Sequence, residues 1–248
     1  MSNDKIYKQK ILAVSDLHLC DGGPEDKFCG NEKNFEKVLN LAEKNNYQIV
    51  VLGDLFELWQ CNDLEKIIRF YSGLLKRLSE LNAIFILGNH DALIAQKLSS
   101  GGTFLNMEVV PEKLIINKTL FMHGHRFDWT VSLFNRLVFF ARIQIETPIE
   151  KYFSKSAAKL VKKFNDFWIK KMSKFYQEGG FSKTKEHYRK KAIKYAESLP
   201  EINRIVIGHR HKPDHVLMRA GNRKIEYYNI GSWVNNRQDY LILDINTP

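Results

Sequence analysis

Asp16 and His18 lie two residues apart at the end of the apolar run Ile11-Leu-Ala-Val-Ser-Asp-Leu-His-Leu19. An acid and an imidazole in that place are two metal-capable side chains at the carboxyl end of a buried strand. One such triplet is ordinary turn chemistry. The chain repeats the theme four more times. Ile49 to Leu52 runs into Gly53-Asp54, and Ala83 to Leu87 runs into Gly88-Asn89-His90-Asp91. Leu120 to Met122 runs into His123-Gly124-His125, and Arg204 to Ile207 runs into Gly208-His209-Arg210-His211. Sheets built from parallel strands bind ligands just outside the strands' carboxyl ends. A single metal-binding floor accounts for all five endings.

The candidate ligands are Asp16, His18, Asp54, Asn89, His123, His209 and His211. Carboxylate oxygen mixed with imidazole nitrogen suits Mn, with Fe, Zn or Co as alternatives; an all-oxygen shell would favour Mg or Ca. Seven ligands exceed one tetrahedral ion and fit two divalent ions that share a carboxylate. Asp54, on the central strand, is the natural bridge. Ions about 3.5–4 Å apart activate water and neutralise a phosphoryl transition state. His90 adjoins Asn89 and cannot easily point the same way. It is better placed as a general acid for the leaving oxygen, with Asp91 to orient or support it. Asp128, Arg136 and Arg210 are candidate substrate contacts.

Positioning these groups takes a strand–helix alternation. A strand from Lys10 to Ser15 precedes a helix between Asn31 and Asn45, with Phe35, Val38, Leu39 and Ala42 at helical spacing. A strand from Gln48 to Leu52 follows. Next comes one helix capped at Asn62 or Asp63, burying Ile67, Ile68, Tyr71, Leu74, Leu75 and Leu78. Ala83 to Leu87 is the third strand, so the early strands are expected parallel with right-handed crossovers. Residues 93–98 read as a short helix, broken by Ser99-Ser-Gly-Gly102. Lys113 to Ile116 and Thr119 to Met122 read as a hairpin. From Thr130 to about Leu199 the pattern is helical, with Phe153, Ala157, Leu160, Phe164, Trp168 and Phe175 in one stripe and lysines opposite. Ser182 caps a further helix reaching Ser198. A strand at Arg204, a hairpin across Ala220-Gly-Asn222 and a strand from Tyr240 to Ile245 close the chain. The division expected is a core of 1–129 and 200–248 with a basic helical insertion at 130–199.

At 248 residues, 44% hydrophobic and 27% charged, the chain has the composition of a globular protein. It has no apolar run long enough to span a bilayer and no signal-peptide core near Met1. Cys20, Cys29 and Cys61 are odd in number and form no Cys-x-x-Cys pair. Thiols rather than a disulfide framework are expected, as suits a reducing cytoplasm. The net charge of +10 is concentrated: residues 151–200 hold 14 Lys or Arg against four Asp or Glu. Such a field points to an anionic partner, whether nucleic acid, an anionic membrane or a phosphorylated substrate; a solvated helix face is the plainer alternative.

In motif order and placement the chain resembles the calcineurin-like metallophosphoesterases, whose signature is D-x-H, G-D, G-N-H-D/E, H and G-H-x-H. The resemblance covers Ile11 to Val234. It implies a four-layer α/β/β/α sandwich of two mixed sheets. It also implies one metal on Asp16, His18, Asp54 and His211, a second on Asp54, Asn89, His123 and His209, and His90 as catalytic acid. A narrower resemblance, to the UDP-2,3-diacylglucosamine diphosphatases of lipid A synthesis, lies in Ser15-Asp-Leu-His-Leu19, Gly53-Asp-Leu-Phe-Glu-Leu-Trp59, Gly208-His-Arg-His-Lys-Pro213 and Asn229-Ile-Gly-Ser-Trp233. The chain departs from that family's best-known branch at His90 and His125. This likeness implies a phosphorylated, lipid-bearing nucleotide-sugar substrate, an insertion that acts as a lid, and a cytoplasmic enzyme at the inner membrane. A phosphodiesterase or phosphatase of nucleic acid, cyclic nucleotide or phosphoprotein is the alternative.

Overall fold

The computed structural model describes residues 7–61, 63–97, 102–128, 163, 167–168, 171 and 185–246. Two mixed sheets organise them. The first has the order β11-β1-β2-β3-β5-β4, from β1 (Lys10–Val14), β2 (Gln48–Leu52), β3 (Ile84–Ile86), β4 (Gly102–Phe104), β5 (Met107–Val110) and β11 (Leu241–Asp244). The second has the order β6-β7-β8-β10-β9, from β6 (Lys113–Ile116), β7 (Thr119–Met122), β8 (Arg204–Ile207), β9 (Asp214–Ala220) and β10 (Arg223–Asn229). β1, β2, β3 and β5 run parallel, and so do β7, β8 and β10; the outer strands β11, β4, β6 and β9 are antiparallel.

The parallel registers bring the chemistry to one edge. Val14 lies opposite Val51, and Leu52 opposite Ile86, so Asp16, Asp54 and Asn89 leave adjacent strands at one end of the first sheet. Met122 lies opposite Ile207, which places His123 beside the His209 and His211 turn at one end of the second.

Alternating side chains on each strand feed two different cores. Ile11, Ala13, Val50, Leu52, Ile84 and Ile86 point between the sheets and meet Leu114, Phe121 and Val206. Their neighbours Leu12, Val14, Ile49, Val51 and Phe85 point the other way, into a core shared with α1 (Glu32–Lys44), α2 (Leu64–Phe70), α3 (Ser72–Glu80) and α4 (Ala92–Lys97). In α1, Phe35, Val38, Leu39 and Ala42 form the buried stripe expected from their spacing, and Glu32 and Lys44 complement the helix dipole at the two ends. On the far side of the second sheet, α5 (Lys185–Glu197) buries Tyr188, Ala192 and Ala196 against Leu120, Met122, Ile205, Ile207, Ile225 and Tyr227. Helix, sheet, sheet and helix make the expected four layers.

Three expectations need correction. The helix after residue 62 is two helices: Asp63 caps α2 by accepting the Lys66 N–H at 2.9 Å, and the chain breaks at Tyr71. Tyr71 donates its hydroxyl to Asp26 at 2.8 Å, which ties the junction of the two helices to the loop after β1. β4 and β5 lie where no strand was expected, since four residues or fewer offer too little alternation to read. Cys20 and Cys61 are paired as a disulfide with Cα atoms 5.8 Å apart, which nothing in their 41-residue separation signals; Cys29 is a free, exposed thiol.

Of the stretch 130–199, the described residues are few besides α5. Arg136 and most of the aromatic stripe lie outside them. Trp168 is 45% exposed, with the Lys171 ammonium 5.5 Å from its ring centroid, so this member of the stripe is not core.

Candidate metal centre

The carboxyl ends of β1, β2, β3, β7 and β8 converge on one buried polar cluster. Asp16, His18, Asp54, Asn89, His90 and His123 are all 5% exposed or less, although every one is polar or charged. Burial on that scale is costly unless each group finds a partner or an ion. The backbone is equally unusual. Asp16, His18, Asp54, His209 and His211 all have positive φ, from 50° to 70°. Left-handed backbone is uncommon outside glycine; Asp and His enter it more readily than most side chains, and five such residues gather at this one site.

Two overlapping groups of donor atoms result. In the first, the His211 Nε2 lies 3.0 Å from Asp16 Oδ1 and 3.2 Å from the His18 Nε2, which is itself 3.8 Å from Asp54 Oδ2. In the second, the His123 Nε2 lies 3.0 Å from Asp54 Oδ2 and 3.1 Å from Asn89 Oδ1, with His209 completing the group. Asp54 belongs to both sides, as a bridging carboxylate must. Its second oxygen accepts the His90 backbone N–H at 2.8 Å, so the bridge also fixes the loop after β3.

An ion fits here for a specific reason. Asp16 Oδ1 is buried and faces the His211 Nε2 at 3.0 Å and the His18 Nε2 at 3.8 Å without an aligned hydrogen bond, the arrangement of ligands around a shared ion, while Oδ2 is satisfied by Ser15 and by the His209 backbone N–H at 2.8 Å. Supporting contacts set the tautomers. The His123 Nδ1 donates to the Leu52 carbonyl at 2.7 Å and leaves Nε2 facing the cluster. Gly88 is required here, because a side-chain carbon at that position would collide with Asp54.

The titration pattern agrees. Burial opposes ionisation of Asp54, yet the charges of His123, His90 and His18 hold its carboxyl well below the usual range. Burial alone would lower His123, but Asp54 and Asp16 raise it to about 9. His18 is likewise raised well above its ordinary value, burial being outweighed by Asp16, Glu57 and Asp54. His209 goes the other way, lowered by burial and by the charge on His123. In the ion-free site the shift at His123 favours a proton on its ring at pH 7, and the shift at His18 runs in the same direction. Loading with a divalent cation at pH 7 should therefore expel protons. Release should fade as pH rises past about 9, where His123 is already neutral. Titrating metal into weakly buffered protein measures this; uptake with no proton release across that range would contradict it.

Glu57 is the residue that sequence reading passed over. Its buried carboxylate joins two rings: Oε2 is 2.9 Å from the His18 Nδ1, and Oε1 is 2.7 Å from the His90 Nδ1. Oε1 also accepts the Trp59 and Gln60 backbone N–H groups at 3.2 Å. Burial pushes its carboxyl up, but His90 and His18 outweigh that and hold it well below the usual range. The His90 ring is stacked on Trp59, with centroids 3.8 Å apart and planes 23° apart, and its Nε2 points toward Asp54 Oδ2 at 4.0 Å. The orienting role expected of Asp91 is thus filled by Glu57. Asp91 instead accepts two backbone N–H groups, from Phe56 at 3.0 Å and Gly88 at 2.9 Å, and staples the two loops together. Burial, then the neighbouring Asp54 charge, raises its carboxyl to about 7.

Two further candidates meet at Tyr188. Its hydroxyl donates to Asp128 at 3.3 Å, and the Arg210 guanidinium lies 5.2 Å from its ring centroid, at the rim beside His209. His125 places a third imidazole 5.5 Å from the His123 ring, with its Nδ1 buried and unpartnered.

Comparison with known proteins matches residues 9–213 to the calcineurin-like phosphoesterase family. Curated relatives include the UDP-2,3-diacylglucosamine hydrolase of Shewanella pealeana, 27% identical over 93% of this chain and 95% of its own. The protein of the same name from Aliivibrio fischeri is 22% identical, over 90% of both chains. Among solved structures, a dimetal phosphatase from Danio rerio superposes with a TM-score of 0.50 at 9% identity, over 96% of this chain and 92% of the other; that likeness concerns the fold alone.

Proposed function

The chain belongs to the calcineurin-like phosphoesterase family and is a metal-dependent hydrolase, and from that premise we propose that it cleaves the pyrophosphate linkage of a lipid-bearing nucleotide sugar of the UDP-2,3-diacylglucosamine type. The observation that carries the substrate is the relatives' shared name across nine-tenths or more of the chain. Asp16, His18, Asp54 and His211 would hold one divalent ion, and Asp54, Asn89, His123 and His209 the other. When bound, the ions supply Lewis acidity that activates water and offsets phosphoryl charge, with Mn first among the candidates.

The chain's own residues supply the rest. Asp54 holds both halves of the site in register and anchors the His90 loop. Glu57 accepts the His90 Nδ1–H, so Nε2 faces the reacting centre and can deliver a proton to the departing oxygen. The Glu57 carboxylate then faces the imidazolium before transfer, as the orienting acid of a catalytic triad does. Trp59 backs the ring and keeps it from swinging away. Arg210, at the rim, offers a guanidinium to the phosphate being retained or released.

We assign the stretch from 130 to the start of α5 to the recognition of the acyl-bearing part of the substrate; α5, expected as part of the insertion, packs on the second sheet and goes with the core of 1–129 and 200–248. A lysine ammonium beside an exposed aromatic ring, as at Lys171 and Trp168, sets cationic and apolar groups side by side and suits an apolar chain with an anionic headgroup. The excess of Lys and Arg over Asp and Glu in residues 151–200 favours peripheral attachment to an anionic membrane face, and the arrangement proposed is at the cytoplasmic face of the inner membrane.

Replacing Lys155, Lys159, Lys162 and Lys163 by Gln should raise KM for a diacylated UDP-sugar and weaken binding to anionic vesicles. Turnover of bis-p-nitrophenyl phosphate should stay nearly unchanged. Binding to single-stranded DNA that falls with a reduced salt slope, while vesicle binding holds, would favour a nucleic-acid phosphodiesterase instead. No change in any of these would make the lysines a solvated face.

A further inference from the structure

Cys20 and Cys61 stand where the two loops that carry the site's acid–base machinery meet. From Asp16 onward the loop after β1 runs alongside the loop after β2. Their backbones are zipped by Asp16 N–H to Gly53 O at 3.1 Å, His18 N–H to Asp54 O at 2.9 Å, Leu19 N–H to Leu55 O at 2.9 Å and Glu57 N–H to Leu19 O at 2.9 Å. The chain then turns tightly. Trp59 and Gln60 donate to the Glu57 carboxylate, and the Cys61 N–H donates to the Glu57 carbonyl at 3.0 Å. Cys20 follows the last zipped residue of one loop, and Cys61 closes the turn of the other. Their Cα separation of 5.8 Å lies at the centre of the range a disulfide spans without backbone movement.

The two sulfurs differ in access. Cys20 is fully buried, and Cys61 is half-exposed. The pair thus has an attacking thiol that solvent can reach and a resolving thiol behind it. We propose that Cys20 and Cys61 are a reversible oxidation site, closed by exchange with a low-molecular-weight disulfide such as oxidised glutathione and opened by the corresponding thiol. The Cys61 sulfur attacks one sulfur of the reagent; that S–S bond breaks and the first thiol leaves with the proton Cys61 gives up. The Cys20 sulfur then attacks the mixed disulfide at Cys61, and the second thiol leaves with the proton of Cys20. Two thiols and one reagent disulfide become one protein disulfide and two reagent thiols, and the two electrons end on the reagent.

The bridge clamps a functional turn. Glu57 and Trp59, which hold His90, lie between the zipped segment and Cys61. In the oxidised protein both ends of that turn are tied to the strand that carries His18. In the reduced protein the Cys61 N–H bond, the Glu57 side-chain contacts and the packing of Leu58 and Trp59 still hold the far end, but without a covalent tie. The oxidised form should therefore release metal more slowly and melt at a higher temperature.

The experiment equilibrates the full chain across a series of reduced to oxidised glutathione ratios, quenches by alkylation, and measures intact mass, linked peptides, melting and loss of Mn to a chelator. The expected result is a form lighter by two hydrogens that contains a Cys20–Cys61 peptide, while Cys29 takes the alkyl label. Ion-free oxidised protein should melt about 5–10 °C above reduced protein, from the closure of a loop of this length. Mn loss should be several-fold slower when oxidised, and Cys20→Ser and Cys61→Ser should behave as the reduced protein under every ratio. A mixed glutathione adduct that persists at Cys61, pairing through Cys29, or equal melting and Mn loss in both forms would overturn the proposal.

Discussion

Asp54→Asn should leave a folded protein that retains neither ion and hydrolyses no phosphoester at a measurable rate. Asparagine keeps the volume and can still accept the His90 backbone N–H, which Asp54 Oδ1 receives at 2.8 Å, so the loop after β3 stays in place. The other atom becomes an NH2 group. It would point donors at the place where Asp54 Oδ2 now meets the His123 Nε2 at 3.0 Å and the His18 Nε2 at 3.8 Å. A bridging position that donates instead of accepting repels a cation from both sides at once. Elemental analysis after exhaustive dialysis should find well under one equivalent of metal, with a far-UV spectrum unchanged from the parent. The same change at His211, a half-exposed ligand on one side only, should cost one ion and spare the other. Two equivalents retained in Asp54→Asn would refute the bridge.

The second large effect is expected at His90. His90→Asn should retain metal yet lower turnover about 10²–10⁴-fold on substrates whose leaving oxygen needs a proton. With p-nitrophenolate as leaving group the loss should be far smaller. Glu57→Gln tests the same proton from behind. It keeps an acceptor for the His90 Nδ1–H but removes the charge that favours the imidazolium, so a loss of about 10–100-fold is expected. Glu57 also bonds His18 at 2.9 Å, so this variant alone of the two should lose metal faster to a chelator. Equal losses on good and poor leaving groups would remove His90 from the proton transfer.

The parts of this site that could be read from residue order are those whose signal is local. Each proposed ligand lies within four residues of the end of an apolar strand, and parallel pairing carries those ends to one edge without further instruction. Glu57 was harder because it lies three residues beyond Asp54, past the strand, where an acid before Leu58 and Trp59 reads as helix or turn. Its meaning comes from His18 and His90, 39 and 33 residues away. Asp91 misled for the opposite reason: adjacency to His90 suggested a partnership, but neighbours on a turn face different ways, and its oxygens found backbone donors. The two helices meet at Tyr71 within a run of continuous apolar spacing, and the partner of its hydroxyl, Asp26, lies 45 residues away, out of reach of any local pattern. The cysteine pair had no sequence signal at all, since only the zipped loops bring positions 20 and 61 together.

The left-handed backbone at Asp16, His18, Asp54, His209 and His211 has a consequence for anyone who would breed or engineer this protein. Each such residue costs roughly 1–2 kcal/mol relative to a right-handed conformation, a penalty that glycine escapes. Selection for heat tolerance alone, without a demand for turnover, would therefore relieve that strain at the half-exposed His211 before the buried members, whose side chains also satisfy the loops around them. The most robust descendants would be the inert ones, and activity would have to be screened in every round to keep the lineage an enzyme.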